Sequence, residues 1–168
     1  MLRINVFAVI LMAVLFSSCE KKPSRPPYNL DREATACISI PYEEVGGVKT
    51  IPVKLNGITM NMIYDTGCSG IHMSLNELQT LIKNGKLDES DILDATYATI
   101  ADGSIVENGT INIKCIEIGG EDGIVIENVQ ASVALNQVAP ILLGNAVLDE
   151  LASVEVDNMA KTINFNKK

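Results

Sequence analysis

The feature that most restricts the fold is a pair of alternating apolar and polar runs joined by Asn56-Gly57. Residues 50–55 (TIPVKL) form the first run, and residues 58–64 (ITMNMIY) form the second. An Asn-Gly pair favours a two-residue hairpin turn, because both central residues of that turn need positive φ. The pattern predicts a β-hairpin whose second strand ends directly before Asp65-Thr66-Gly67.

Short strand patterns separated by turn signals continue through most of the chain, which indicates a mostly-β barrel or sandwich with about nine strands. One short helix is predicted at residues 75–83, because Ser74 and Glu77 form a capping box before an apolar helical stripe. A second short helix is predicted at residues 145–151. The other expected strands cover residues 36–40, 95–100, 104–106, 110–118, 124–126, 129–135, 154–157 and 162–165, whereas residues 43–47 and 86–93 are expected to be a polar turn and a polar connector.

Residues 1–18 have the layout of an export signal, with Arg3 ahead of an apolar run at residues 6–16 that is too short to span a bilayer comfortably. The run, followed by small residues and Cys19, resembles a bacterial lipoprotein signal, which implies a lipidated Cys19 at the mature N-terminus. An ordinary secretory signal with an incidental cysteine is the alternative. The expected organisation is a signal peptide at residues 1–18, a proline-rich tether at 19–36, and one domain at 37–168.

The charge balance argues against nucleic acid and anionic headgroups as partners, because 21 acidic residues face only 13 basic ones. Membrane attachment would therefore come from the acyl chains on Cys19, which places the protein in the bacterial cell envelope. Three further cysteines, Cys37, Cys68 and Cys115, allow at most one disulfide, and the pair is left open. With a single histidine and no zinc-like spacing, neither a metal site nor a cofactor is expected.

Three segments occur in a fixed order. The first is Asp65-Thr66-Gly67 after a hairpin strand. The second is the hairpin that contains Ala101, Asp102, Gly103 and Ser104, and the third is the apolar segment Ile141, Leu142, Leu143 and Gly144 before a short helix. In this order they resemble the retropepsin-like aspartic proteases, the single-domain relatives of pepsin, in which the second segment is a substrate-covering flap and the third packs beside the catalytic loop. The resemblance covers residues 38–165 and implies a retropepsin-like closed barrel.

The resemblance implies a peptide-bond hydrolase in which Asp65 is the catalytic acid and base. One carboxylate cannot both activate water and protonate a leaving group, whereas two adjacent carboxyls can, because they do not both ionise readily. The chain has a single D-T-G triplet, so a homodimer with one Asp65 from each subunit is expected. By resemblance, Thr66 would hold the two loops together, Gly67 would permit the tight turn, and residues 96–107 would cover an extended peptide.

Other interpretations remain open from the sequence. The domain is alternatively a non-catalytic β-rich lipoprotein that uses this fold for binding or dimerisation. His72 is expected to be a surface or packing residue, and Cys68 stands where alanine or serine is usual in the family. The acidic residues at 88–94 match no calcium loop and are expected to be a solvated connector.

Overall fold

A computed structural model describes residues 36–100, 102–120 and 122–168, so the predicted signal peptide, Cys19 and tether lie outside the described residues. The described chain is mostly β, with two α-helices and one 3-10 turn. The strands are β1 (Cys37–Pro41), β2 (Glu43–Val45), β3 (Val48–Leu55), β4 (Ile58–Tyr64), β5 (Ile71–Met73), β6 (Ile92–Thr99), β7 (Ile105–Ile118), β8 (Ile124–Ala134), β9 (Leu142–Leu143), β10 (Ser153–Asp157) and β11 (Thr162–Asn166). The helices are α1 (Leu75–Lys83) and α2 (Asn145–Leu148), and the 3-10 turn is Glu89–Asp91.

Eight strands form one sheet in the order β2-β3-β4-β9-β5-β8-β7-β6. β3 also pairs with β7 through Lys54 with Glu117 and Leu55 with Ile116, and this pairing closes the sheet into a barrel. A second sheet has three antiparallel strands in the order β1-β11-β10. The predicted closed, mostly-β barrel with one or two short helices is therefore confirmed.

Side chains alternate between the barrel interior and its outer face. On β3, Ile51, Val53 and Leu55 are buried, whereas Pro52 between them is exposed. The interior is almost purely aliphatic, and each fully buried side chain contributes a few kcal/mol relative to an exposed one. The largest fully buried side chains of the described residues, on the barrel strands, on α1 and on β11, are Ile51, Leu55, Met62, Ile71, Met73, Leu81, Ile111, Ile113, Ile116, Ile118, Leu143 and Phe165.

The predicted hairpin turn at Asn56-Gly57 is present, with φ of 49° and 84° at the two residues. Asn56 also ties the turn to the barrel: its amide Nδ2–H donates to the Lys86 carbonyl at 2.8 Å, and its Oδ1 accepts from the Cys115 N–H at 2.9 Å. The strand that delivers Asp65 is thus fixed at its far end by a local turn and by contacts with distant segments.

Helix α1 begins where the capping box predicts. The Ser74 Oγ accepts from the Asn76 N–H at 3.2 Å, and the Ser74 N–H donates to the Glu77 carboxylate at 2.9 Å. Leu81 is the fully buried residue of the helix. Helix α2 ends at Leu148 and is therefore three residues shorter than the predicted helix at 145–151.

Several strand boundaries differ from the sequence predictions. The segment Glu43–Val45 was predicted as a turn and is the edge strand β2, so the turn itself is only Gly46-Gly47. β6 begins at Ile92, inside the predicted connector. β7 is one continuous strand where the sequence predicts separate pieces at 104–106 and 110–118, and β8 is one strand where it predicts one or two, because β7 and β8 pair along most of their length. These differences raise the strand count without changing the architecture.

Candidate active site

Asp65 lies directly after β4, where the chain leaves the sheet. Its backbone N–H donates to the Leu143 carbonyl at 3.1 Å, and its carbonyl accepts from the Cys68 N–H at 3.2 Å. The side-chain Oδ1 accepts from the Gly67 N–H at 2.8 Å, which closes a tight turn around the carboxyl. These three bonds fix both the backbone and the carboxyl group of a half-buried aspartate.

The loop after Asp65 straddles a strand inserted from far along the chain. β9 is parallel to β4, with Ile63 beside Leu142, and antiparallel to β5, with Ile71 beside Leu143. The chain therefore leaves β4, passes around the end of β9 and returns as β5. β9 fills the gap between β4 and β5 and pairs with both strands, so the loop at residues 65–70 is anchored at its two ends.

Gly144 allows the closest approach in the site. A Cβ atom at this position would overlap the backbone carbonyl oxygens of Cys68 and Gly70, and backbone atoms cannot yield as a flexible side chain can. The next two residues bond to the same loop: the Asn145 N–H donates to the Cys68 carbonyl and the Ala146 N–H donates to the Ser69 carbonyl, each at 2.9 Å. The loop thus rests directly on the first turn of α2.

The sequence interpretation missed one member of this support. The side-chain amide of Asn145 donates to the Thr66 carbonyl at 3.1 Å and so holds the middle of the D-T-G triplet. A polar residue directly after the apolar-apolar-glycine segment was the available signal. Thr66 and Gly67 are exposed, and the Thr66 side chain has no hydrogen-bond partner among the described residues.

Cys68 is half-buried, and its thiol donates to the Gly70 carbonyl at 3.2 Å inside the loop. Cys37 and Cys115 are also free thiols, so the described cysteines form no disulfide with one another. Burial is the main cause of a raised pKa at Cys115, with smaller contributions from Glu117 and Glu127. The Cys68 thiol, three residues after Asp65, is thus a free thiol whose hydrogen bond lies within the loop.

Asp65 opens onto a groove of about 640 Å³. The groove is mainly apolar, and Asp65 is the one carboxyl among its lining residues. Burial raises the pKa of the Tyr64 phenol, which keeps this lining residue neutral. The lining residues are Gly47, Val48, Lys49, Ile63, Tyr64, Asp65, Pro140, Leu142, Val156 and Asn158. A larger groove of about 940 Å³ follows β8 and α2 and contains none of the predicted catalytic residues.

The hairpin of β6 and β7 contains the predicted flap. At its tip, Asp102 Oδ1 accepts from the Ser104 hydroxyl at 2.6 Å and from the Ser104 N–H at 2.8 Å, and these bonds lower the pKa of Asp102. Gly103 has a φ of +85°, as the turn requires. Ala101 lies outside the described residues, and Asp102, Gly103 and Ser104 do not line the Asp65 groove. Of the segments predicted from the sequence, Leu142, Leu143 and Gly144 therefore lie next to the Asp65 loop, whereas the described residues of the flap tip do not line the groove.

The flap hairpin exposes large apolar side chains. Tyr97 is 72% exposed, Ile105 is 71% exposed and Ile100 is 45% exposed. Aromatic and branched aliphatic residues on a two-stranded ribbon normally pack on something, since an isolated hairpin is only marginally stable in water. This exposed surface is suited to contact an extended peptide or another chain.

The acidic segment before β6 is partly buried rather than wholly solvated. Asp91 is only 3% exposed, and Lys114 Nζ lies 2.8 Å from both Asp91 and Asp88. A hydrogen bond from the Asp88 N–H, followed by the bond from Lys114, lowers the pKa of Asp91. Within the described residues, no cluster of histidine, cysteine and acidic side chains is suited to hold a metal ion. No described helix is long and apolar enough to cross a membrane.

Comparison with protein families matches residues 51–150 to the gag-polyprotein putative aspartyl protease family. The chain belongs to this family. The match covers β3 to α2 and therefore includes the Asp65 loop, the flap hairpin and β9. It confirms the resemblance to retropepsin-like aspartic proteases that the motifs indicate.

A solved structure shares the fold. The crystal structure of a retropepsin-like aspartic protease from Rickettsia conorii matches with a TM-score of 0.55 and 19% identity. The match covers 79% of this chain and 91% of the other. A comparison with curated protein sequences finds no significant match.

We predict that Gly144→Ala destabilises the chain and disorders the Asp65 loop, because the new methyl group overlaps two backbone oxygens. Overpacking of this kind should lower the free energy of unfolding by about 1–3 kcal/mol. Urea denaturation measures this change. Gly109→Ala is the matched control, since a Cβ there makes only ordinary contacts with Val133. Equal stability of the two variants would show that β9 does not hold the loop.

Proposed function

We propose that the chain is an aspartic endopeptidase that hydrolyses peptide bonds as a homodimer, with one Asp65 contributed by each subunit. The observation that carries this proposal is the fixed Asp65 carboxyl at the edge of an apolar groove that has no second carboxyl in its lining. Membership of an aspartyl protease family supports the reaction class. Because the groove lining contains no second carboxyl, we infer that the second acid comes from another copy of the chain.

The reaction follows from two carboxyls held within hydrogen-bond reach. Their mutual repulsion keeps one protonated while the other is ionised. The ionised Asp65 takes a proton from a water molecule, whose oxygen attacks the scissile carbonyl carbon, while the protonated Asp65 donates to the carbonyl oxygen. Proton transfer to the amide nitrogen then allows the C–N bond to break, and no acyl-enzyme forms.

The neighbouring residues have supporting roles in this proposal. The Gly67 N–H keeps the carboxyl oriented, and the exposed Thr66 hydroxyl is available to bond across the two-fold axis. The hairpin of β6 and β7 closes over the substrate, which binds in extended form through backbone hydrogen bonds. The exposed Tyr97, Ile100 and Ile105 give this hairpin an apolar surface for that contact.

The second sheet offers an attachment point for the second copy. β10 is its terminal strand, and its outer edge has no partner strand among the described residues. Val156 of β10 and Asn158 directly after it also line the Asp65 groove. An unpaired strand edge presents backbone groups that another chain can pair with. A dimer built on this edge would form close to Asp65.

We also propose that Cys19 is lipidated and tethers the domain to the bacterial cell envelope, on the periplasmic side or at the outer membrane. The support is the sequence pattern at residues 1–19, which lies outside the described residues. The proline-rich segment that follows would separate the lipid from the catalytic domain.

We predict that Asp65→Asn abolishes pepstatin-sensitive cleavage of an unfolded peptide library by residues 20–168. Loss of the general acid and base should lower kcat/KM by at least about 100-fold. Asp122→Asn changes an exposed acid in a turn and is the control that should keep full activity. Equal inactivity of the wild type and Asp65→Asn from acidic to neutral pH would favour a non-catalytic binding or dimerisation module.

Mixing the two proteins tests whether the site is shared. If subunits exchange and heterodimers are inactive, an equal mixture of wild type and Asp65→Asn retains about one quarter of the activity of the same total amount of wild type. Independent monomers would retain about one half. Sedimentation under the assay conditions should show a dimer, and a monomer at high concentration would contradict the proposed mechanism.

Lipidation has a separate test. We predict that the full chain, expressed in bacteria, incorporates labelled palmitate and partitions with the membrane fraction. Cys19→Ala should lose both properties, whereas Cys37→Ala should keep them. Processing of the Cys19→Ala chain to a soluble exported form, together with an unlabelled wild type, would instead indicate an ordinary secretory signal.

A further inference from the structure

A row of neighbouring side chains leads from the Asp65 groove across the outer face of the barrel. Ile63 of β4 is in register with Leu142 of β9, and Leu142 is in register with His72 of β5. His72 is in register with Ser132 of β8. Residues directly opposite one another on adjacent strands project to the same face of a sheet. Because Ile63 and Leu142 line the groove, His72 lies on the next strand at its edge, about 5 Å further along the sheet.

The opposite face of β5 belongs to the core. Ile71 and Met73, which flank His72, are fully buried, whereas His72 itself is half-buried. His72 is therefore not a member of the hydrophobic interior. Its face of the sheet runs through Leu142 and Ser132, which are also half-buried, and ends at Thr110 of β7, which is buried.

The hydrogen bonds of His72 define which ring nitrogen carries the proton. Nδ1 lies 2.8 Å from the Ser132 Oγ, and this hydroxyl donates its own proton to the Ile71 carbonyl at 3.2 Å. A serine hydroxyl has one proton, so both bonds form together only in the tautomer in which Nδ1 donates to Ser132. Burial lowers the pKa of His72, which favours the neutral ring. In that tautomer Nε2 is an acceptor, and no group among the described residues donates to it.

An acceptor at the edge of an apolar groove discriminates between substrates. When a peptide covers the groove, Nε2 loses water, and an apolar side chain above it leaves the acceptor unsatisfied. A side chain with a hydroxyl or amide donor restores the bond. Sites built to bond a polar group therefore reject the apolar analogue of the same shape more strongly than they reject small differences in size.

We propose that His72 is a specificity-determining residue whose Nε2 accepts a hydrogen bond from a polar side chain of the substrate. This inference rests on the proposed endopeptidase function and names one feature of its substrates. Threonine and valine have nearly the same shape, so the subsite at His72 prefers threonine over valine. The residue acts on substrate choice and is not part of the acid–base chemistry of Asp65.

The test begins with a peptide that the wild-type residues 20–168 cleave, found in a degenerate library and mapped by mass spectrometry. The peptide is resynthesised with threonine or valine at each position around the scissile bond, and kcat/KM is measured for each pair. We expect one position to favour threonine by about three-fold to ten-fold, the range that one neutral hydrogen bond supports. His72→Val should reduce that ratio to about one.

Thr59→Val is the control, since it also places valine on a strand but at an exposed position six residues before Asp65 on β4. It should keep the wild-type ratio. A purely structural role for His72 would lower kcat/KM for both peptides equally and leave the ratio unchanged. Ser132→Ala removes the hydrogen-bond partner of Nδ1 and should lower the ratio only partly. A wild-type ratio of one at every position overturns the proposal, whether or not His72→Val folds.

Peptide binding separates failure of this inference from failure of the proposed function. Threonine and valine versions of the cleaved peptide, or of a library peptide that Asp65→Asn binds if the wild type cleaves none, are titrated against Asp65→Asn with and without His72→Val, using fluorescence anisotropy. A His72-dependent threonine preference in binding, without cleavage by the wild type, would support the subsite and overturn the endopeptidase. Cleavage without a His72-dependent ratio would overturn only the subsite. An absence of both binding and cleavage across the library would overturn both.

Discussion

The insertion of β9 between β4 and β5 is the constraint on which the candidate site depends. Two residues, Leu142 and Leu143, supply the strand, and backbone bonds join it to β4 through Ile63 to the Ile141 carbonyl and Asp65 to the Leu143 carbonyl. These partners are almost 80 residues apart in the sequence, so the Asp65 loop acquires its support only when the barrel closes. Formation of the site is thereby linked to formation of the complete fold, as expected for contacts of high sequence separation.

The geometry around Asp65 supports a carboxyl that is well oriented but chemically incomplete. The Gly67 N–H and the β9 backbone fix its position, whereas the groove supplies no second acid. In the proposed mechanism the second acid comes from an identical chain, so activity depends on protein concentration as well as on folding. The acidic composition opposes this association at long range, and salt screens that repulsion within about 10 Å at 0.1 M. Dimer formation and chemistry are therefore separable by ionic strength.

The sequence predicted best where the determining contacts are local. The Asn56-Gly57 turn, the Ser74 cap of α1 and the hairpin of β10 and β11 depend on residues within a few positions of one another, and all are present. Long-range pairing was harder to predict. β2 is polar and exists because it pairs with β3, and β8 is continuous because β7 supports it.

Single residues show the same limit. Asp91 is buried because Lys114, 23 residues later, reaches it, and nothing near Asp91 in the sequence signals that partner. Leu142, Leu143 and Gly144 were identified by resemblance, but their position between two strands needed the structure. The sequence predicts a surface or packing role for His72, because it is a lone histidine after a turn, and the neighbour that places it beside the groove, Leu142, is 70 residues away in sequence.

The same register that supports the catalytic loop also determines what surrounds it. Because β9 places Leu142 between Ile63 and His72, the outer face of β5 lies beside the Asp65 groove, while Ile71 and Met73 on its inner face remain in the core. Because side chains alternate along β5, Ile71 and Met73 fill the core while His72 between them faces outward. Outward-facing residues of β5 and β8 can change with little effect on the barrel interior, since their side chains do not fill it. In the proposed dimer, backbone contacts hold each Asp65 in place, whereas substrate choice would depend on side chains such as His72, which those contacts do not involve.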